Sequence, residues 1–195
     1  MGLFSFEHSK AAYAADFILY SGAIGVLLVT LMYVTPLNLT WMAMGYGLLG
    51  LAAWSVIEYV LHRFVLHGLE PFKGWHIAHH QQPSALMGTP TVLSATLFVL
   101  LVYLPTWWMA GLWRASALTM GLLMGYLAYS LAHHAMHHRT RQWPGLGIWL
   151  RHHRHWHAKH HQSTTPCCYG VTSSLWDHVF ASAQTAGAHR TTTKH

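Results

Sequence analysis

Four long apolar runs, separated by short polar breaks, set the plan of the chain. Phe17–Thr35 carries no charged residue. At about 1.5 Å of rise per helical residue it is long enough to cross a hydrocarbon core of roughly 30 Å. Pro36, Leu37 and Asn38 then form a turn too short to leave the membrane surface. The second run, Thr40–Leu61, has Glu58 as its single charge, near the far end. From His62 to Gly88 the chain is polar and must lie outside the hydrocarbon. Thr89 and Pro90 read as a helix start, with threonine as N-cap and proline at the first helical position. The third run, Thr91–Ala110, ends among Pro105, Trp107 and Trp108, residues that suit an interfacial aromatic belt. The fourth, Ala115–Ala132, leads directly into His133. Ahead of them all, Met1–Asp16 reads as a short amphipathic lead lying in the interface.

The expected fold is therefore an all-α integral membrane protein. It has four transmembrane helices in two hairpins (17–35, 40–61, 91–110, 115–132) and a cytosolic helical cap over 133–182, ending in a short helix at Trp176–Phe180. Residues 1–182 are expected to form a single domain and 183–195 a disordered tail. Even parity places both termini on one side. Lys10, Arg63, Lys73, Arg139, Arg141, Arg151, Arg154, Lys159, Arg190 and Lys194 fall on that side and Arg114 on the other, so the positive-inside rule makes it cytoplasmic. The first apolar run is too long for the h-region of a signal peptide.

Composition agrees. Among 195 residues only 8% are charged and 53% are hydrophobic; a soluble domain carries about 25% charged residues, whereas lipid penalises charge. The formal net charge of +6 comes without a basic stripe interleaved with aromatics, so membrane topology explains it better than nucleic acid does. Cys167 and Cys168 are adjacent, cannot build a disulfide framework, and read as reduced loop residues.

The outlier is 19 histidines. His157, His160 and His161 have the spacing i, i+3, i+4, which puts three imidazoles on one side of a helix. His76, His79 and His80 repeat it, preceded by His62 and His67. His133/His137 and His134/His138 offer two further i,i+4 pairs, between which spacing does not choose. Neutral imidazole is the commonest metal ligand, and an all-imidazole site suits iron, zinc, copper or nickel rather than magnesium or calcium. Clusters at the ends of three apolar runs are too many ligands for one ion and suit two. A His-rich low-complexity metal buffer would lack such regular spacing. A transporter or metal sensor is the non-enzymatic alternative, but a transport path would place ionisable residues at mid-membrane depth. His8, His178, His189 and His195 read as boundary residues; His152, His153 and His155 stay ambiguous. Glu58, one turn before His62, either orients an imidazole or reaches out to water. Asp177 either does the same for the cap cluster, or caps a helix or pairs with an arginine.

HRFVLH (62–67), HIAHH (76–80), YSLAHHAMH (129–137), WHAKHH (156–161) and YGVTSSLWDHVF (169–180) together resemble the fatty acid hydroxylase/sterol desaturase superfamily. They are most similar to a compact, bacterial-type member of its fatty acid 2-hydroxylase branch. The resemblance selects His62, His67, His76, His79, His80, His133, His137, His157, His160 and His161 as metal ligands. It implies a non-haem diiron, O2-dependent oxidoreductase of the membrane, here a bacterial inner membrane, that hydroxylates a C–H bond of a fatty acyl chain near its head group. Two iron ions are implied, replaced by zinc after overexpression, with O2 as co-substrate. With no room here for the haem-binding domain fused to eukaryotic members, electrons are expected from a separate ferredoxin or b-type cytochrome docking on Arg139, Arg141, Arg151 and Arg154. The short spacer between His67 and His76 is similar to that of carotenoid hydroxylases, which leaves a carotenoid or sterol-type substrate as the alternative. Spacing does not separate hydroxylation from desaturation on such a site.

Overall fold

The computed structural model describes residues 8–138 and 147–183. The first part of the expected amphipathic lead, the tail beyond residue 183, and Arg139, Arg141, His189, Arg190, Lys194 and His195 lie outside the described residues. Every regular element within them is a helix: α1 (Lys10–Val34), α2 (Leu37–Leu66), α3 (Phe72–Gln81), α4 (Thr91–Ala110), α5 (Leu112–His138), α6 (Gly147–Gln162) and α7 (Leu175–Val179). Helices α1, α2, α4 and α5 are long and apolar enough to cross a membrane. Their outer faces expose Met32, Val26, Leu48, Leu101 and Met109, as a lipid solvent requires of helices whose backbone bonds are satisfied internally. The chain is an all-α integral membrane protein.

Helix α5 is the central element, packed against α1, α2 and α4. Small residues let backbones meet there. A Cβ added to Gly121 would lie 1.9 Å from the Gly47 carbonyl oxygen, and one added to Gly50 would lie 2.1 Å from that of Leu118. In lipid, where apolar surface gains little from leaving its solvent, such close approach drives helix association. Beside it, Trp54, Phe98, Tyr126 and Tyr20 form an aromatic cluster joining α2, α4, α5 and α1. The Tyr20 hydroxyl lies 2.6 Å from Ser94 Oγ and ties α1 to α4.

Three boundaries differ from the sequence expectation. Helix α1 begins at Lys10, ahead of the charge-free run, because the Ser9 side chain accepts the Ala12 N–H at 3.1 Å and caps it. Thr89 is not an N-cap: Pro90 takes that position, no side chain caps α4, and the Thr91 hydroxyl donates instead to Asp16 of α1. Helix α5 begins at Leu112 because Gly111, at φ +89°, reverses the chain in a conformation that L side chains rarely adopt. At its other end α2 widens into a π-helical turn over Leu61–Leu66, with the His67 N–H bonded to the His62 carbonyl at 3.2 Å. Such turns re-aim side chains within a helix and recur at functional sites.

Candidate metal centre

The ends of α2 and α5 on one side of the membrane meet α3 and α6, and the histidines sort into two groups. His62, His67, His76, His80 and His160 bring their ring nitrogens together in one; His79, His133, His137 and His157 do so in the other, with every ligand atom of a group within 4.8 Å of the rest. His161 stands beside the second group, its Nε2 3.1 Å from that of His157. Each i, i+3, i+4 motif is therefore divided. His76 and His80 turn to the first group and His79 to the second, while His157 and His161 turn to the second and His160 to the first. On an α-helix, positions i+3 and i+4 lie about 60° and 40° to opposite sides of i, a fan of roughly 100°. That fan is wide enough to serve two centres from one turn.

Every close contact is through Nε2. His62–His76 and His76–His80 are each 3.0 Å apart, His80–His160 and His67–His160 each 3.1 Å. In the second group His79–His133 is 3.1 Å and His137–His157 2.9 Å. The His160 Nδ1 lies 2.7 Å from the Cys167 carbonyl oxygen and the His62 Nδ1 2.5 Å from that of Tyr169. A carbonyl only accepts, so both rings carry their proton on Nδ1 and aim bare Nε2 lone pairs inward. Lone pairs converging in this way repel one another unless a cation lies between them. Separations near 3 Å suit ligands at roughly right angles on bonds of about 2.1 Å. The donor set fits a transition-metal ion in each group.

Burial, and then neighbouring imidazoles, keep the rings outside the spans neutral. His67 and His80 are lowered to about 4, His79 to about 3 and His161 to about 2, with His76 and His157 also well below the ordinary value. His160 falls to about 4 because burial outweighs the opposing bond to Cys167. Neutral imidazole is the form that binds metal.

Among the described residues neither Glu58 nor Asp177 hydrogen-bonds a histidine ring; both turn to the main chain of the 167–172 loop instead. Glu58 is buried and accepts the Val171 N–H at 2.7 Å, the Thr172 N–H at 2.9 Å and the Thr172 hydroxyl. Asp177, fully buried, accepts the N–H groups of Tyr169 and Gly170 at 2.8 Å, the Ser182 hydroxyl at 2.8 Å and the Trp156 indole at 3.1 Å. The two carboxylates clamp the 167–172 loop, whose carbonyls then fix His62 and His160. Gly170 is obligatory in that clamp: a Cβ there would lie 2.0 Å from the Ser173 carbonyl oxygen and 3.0 Å from Asp177 Oδ2. Cys168, at φ +60°, turns the chain between the two carbonyls. Both cysteines are buried and form no disulfide among the described residues, and neither belongs to a histidine group. Sequence reasoning missed these carbonyls, because nothing in residue type marks a main-chain acceptor.

The remaining histidines are sorted by packing. His134 lies against Tyr13 and Phe17 of α1, with ring centroids 5.5 and 6.3 Å away. His153 is buried but stacks on Trp149 with its Nδ1 2.9 Å from that residue's carbonyl oxygen. His152 and His155 are exposed. His8 places Nε2 3.3 Å from the Gly88 carbonyl oxygen, and His178 packs on Trp156. A cavity of about 120 Å³ runs from His62, His76, His79 and His133 to Phe17, Tyr20 and Tyr126, between α1 and α5. Tyr129, one turn before His133, stacks on its ring at 5.8 Å and lines the cavity.

The sequence model of the fatty acid hydroxylase family matches residues 47–182, which hold all ten of these histidines and the clamp loop. The chain belongs to the fatty acid hydroxylase family. A dihydroceramide fatty acyl 2-hydroxylase of Arabidopsis thaliana is 32% identical over 143 residues, covering 67% of this chain and 57% of that protein. The fatty acid 2-hydroxylase of Rattus norvegicus is 28% identical over 148 residues, 70% of this chain and 38% of its own length. This family member thus spans less than two thirds of those curated relatives. The solved structure of full-length scs7p, in which only the hydroxylase domain is visible, shares its fold at a TM-score of 0.76. That match covers 91% of this chain and 68% of the other at 23% identity.

Proposed function

We propose that this family member is a membrane lipid hydroxylase that replaces a C–H bond of a fatty acyl chain, near the head group, by C–OH. The observation that carries this reading is the cavity: histidines of both groups line one end, and apolar and tyrosine side chains of two membrane helices line the other. An acyl chain entering from lipid would lie along α1 and α5 with its polar head at the histidine end. The reaction balances as R–H + O2 + 2 e⁻ + 2 H⁺ → R–OH + H2O.

His62, His67, His76, His80 and His160 would hold one iron ion, and His79, His133, His137, His157 and His161 the other. Bound there, the pair supplies the redox chemistry by which O2 reacts with an unactivated C–H bond. The chain's own part is positioning. The Tyr169 and Cys167 carbonyls hold two rings in one tautomer and one direction, and Tyr129 wedges His133 from the cavity side. The walls of the cavity exclude water and present one carbon to the site. Residues 8–183 act as one unit in this reading.

The reducing equivalents come from a separate donor, a ferredoxin or b-type cytochrome, on the cytoplasmic side. Lys10, Arg63, Lys73, Arg151, Arg154 and Lys159 lie at the histidine ends of the helices and Arg114 at the opposite end, which supports that sidedness. Of the basic face expected from sequence, Arg151 is exposed, while Arg154 donates to the Ala135 carbonyl at 2.9 Å and ties α6 to α5.

The test is lipid mass spectrometry after turnover in ¹⁸O2 with a reducing system, with and without expression of the chain. A hydroxylated acyl lipid carrying one ¹⁸O is expected. A new double bond without oxygen would replace hydroxylation by desaturation, a labelled carotenoid or sterol would replace the acyl substrate, and oxygen derived from water would overturn the oxygenase reading. Turnover should also slow as salt screens donor docking beyond a Debye length of about 8–10 Å.

A further inference from the structure

The two histidine groups are built alike but backed differently. In both, two residues come from the end of a membrane helix, two from the i and i+4 positions of a motif, and one from the i+3 position of the other motif. In the first group, His160 and His62 donate Nδ1–H to the carbonyls of Cys167 and Tyr169. The loop bearing those carbonyls is itself clamped by Glu58 and Asp177. In the second group, the Nδ1 atoms of His79, His157 and His161 are buried and have no hydrogen-bond partner among the described residues. His79 is the counterpart of His160, each being the i+3 residue of its motif, and His79 and His157 are 6% and 2% exposed. The first site thus has the outer nitrogens of two of its rings satisfied by main-chain carbonyls, whereas three rings of the second have no such partner among the described residues.

We infer that the two metal positions are unequal: the first group holds its ion tightly, and the second exchanges its ion. The inference rests on the metal-site reading above. A neutral imidazole carries one N–H, so binding through Nε2 puts the proton on Nδ1. In the first group an acceptor already waits for it, so both rings are fixed in the binding tautomer before the ion arrives. In the second group the proton of His79, His157 and His161 meets no protein acceptor among the described residues, so no main-chain group fixes those rings in advance. Acceptors of this kind change metal affinity by about 10–100-fold. Asp177 and Glu58 are positioning residues for the first site alone, acting through the main chain of the loop.

The experiment uses the full chain in detergent, loaded with zinc(II), desalted, and challenged with excess chelator for increasing times. Zinc per chain is counted by mass spectrometry of the metal, and anomalous diffraction from partly stripped crystals locates what remains. One ion per chain should leave on the order of 10–100-fold faster than the other, and the survivor should lie among His62, His67, His76, His80 and His160. A preparation that retains one ion per chain before chelation should hold it at the same place. Loss of both ions in a single phase, or a survivor among His79, His133, His137 and His157, would overturn the inference. Thr172→Val removes one hydroxyl from the Glu58 clamp, and Asp177→Asn weakens the clamp from the other side. Each should speed the slow phase, leave the fast phase unchanged, and do so at an unaltered elution volume. Equal acceleration of both phases would make the clamp a general structural element and sink its assignment to one site. A chain that hydroxylates lipid yet loses its ions together contradicts only this inference; a folded chain that binds no zinc contradicts the metal-site reading itself.

Discussion

Position along α6 separates candidate ligands from bystanders among side chains of the same type. His153, Trp156, His157 and His160 share the buried face, and His152 and His155 lie outside it. If the proposed function holds, His157→Ala should abolish hydroxylation and lower metal content, because it removes an Nε2 from the second group; His155→Ala should change neither, as activity assays with metal analysis will read. Protonation gives a second test. His67, His80 and His160 are lowered to about 4 by burial and neighbouring rings, whereas in the unfolded chain they titrate near 6.5. Below about 6.5 the unfolded state therefore binds more protons than the folded one, and the contribution of these three rings falls with falling pH until about 4, with His79 and His161 extending the fall to lower pH. Thermal unfolding of metal-free protein should show a midpoint that is flat above neutrality and drops steadily through that window. A midpoint that rises on acidification would reverse the assignment of these rings as neutral.

Two helix features place the site, and both depend on geometry at single turns. The π-helical turn over Leu61–Leu66 carries His62 and His67 to the same group at a spacing of i, i+5, where an α-helix would rotate them about 140° apart. Farther down, the glycine contact of α2 with α5 fixes how far apart the His62 and His133 ends stand. Gly121→Ala should destabilise by about 1–3 kcal/mol or more, since its Cβ meets main chain that cannot yield. Gly22→Ala, which would place its Cβ in open space, should be neutral or stabilising by up to about 1 kcal/mol. Thermal melts of both variants in one detergent will compare them; equal shifts would mean that the close approach contributes nothing.

At the scale of the molecule, all candidate ligands sit at one face of the membrane, while Trp41, Trp107 and Trp108 are exposed at the opposite ends of α2 and α4. An exposed cysteine in place of Lys73 should react with an impermeant thiol reagent only from the cytoplasmic side, and one in place of Asn38 only from the other. Native Cys167 and Cys168, at 4% and 0% exposure, should give little background. Labelling of both new sites from one side would break the two-hairpin topology.

Much of this protein is legible along one dimension. Membrane spans follow from runs of apolar residues because lipid judges a helix residue by residue, and metal-binding chemistry follows from imidazoles spaced on one helical surface. Helix starts were less legible: Ser9 caps α1 and Thr89 caps nothing, since a cap depends on where the chain turns rather than on residue type alone. The sequence motif grouped His76, His79 and His80, but tertiary structure divided them, because α3 presents its two edges to different neighbours. Glu58 and Asp177 lie near histidines in sequence, yet the folded chain gives their lone pairs to the N–H groups of a loop more than a hundred residues from Glu58. Which carbonyl meets which imidazole is likewise a contact between distant segments. Local pattern fixes what each helix is and which residue types it offers; only packing decides which lone pairs converge, because convergence belongs to the space between helices and to no single one of them.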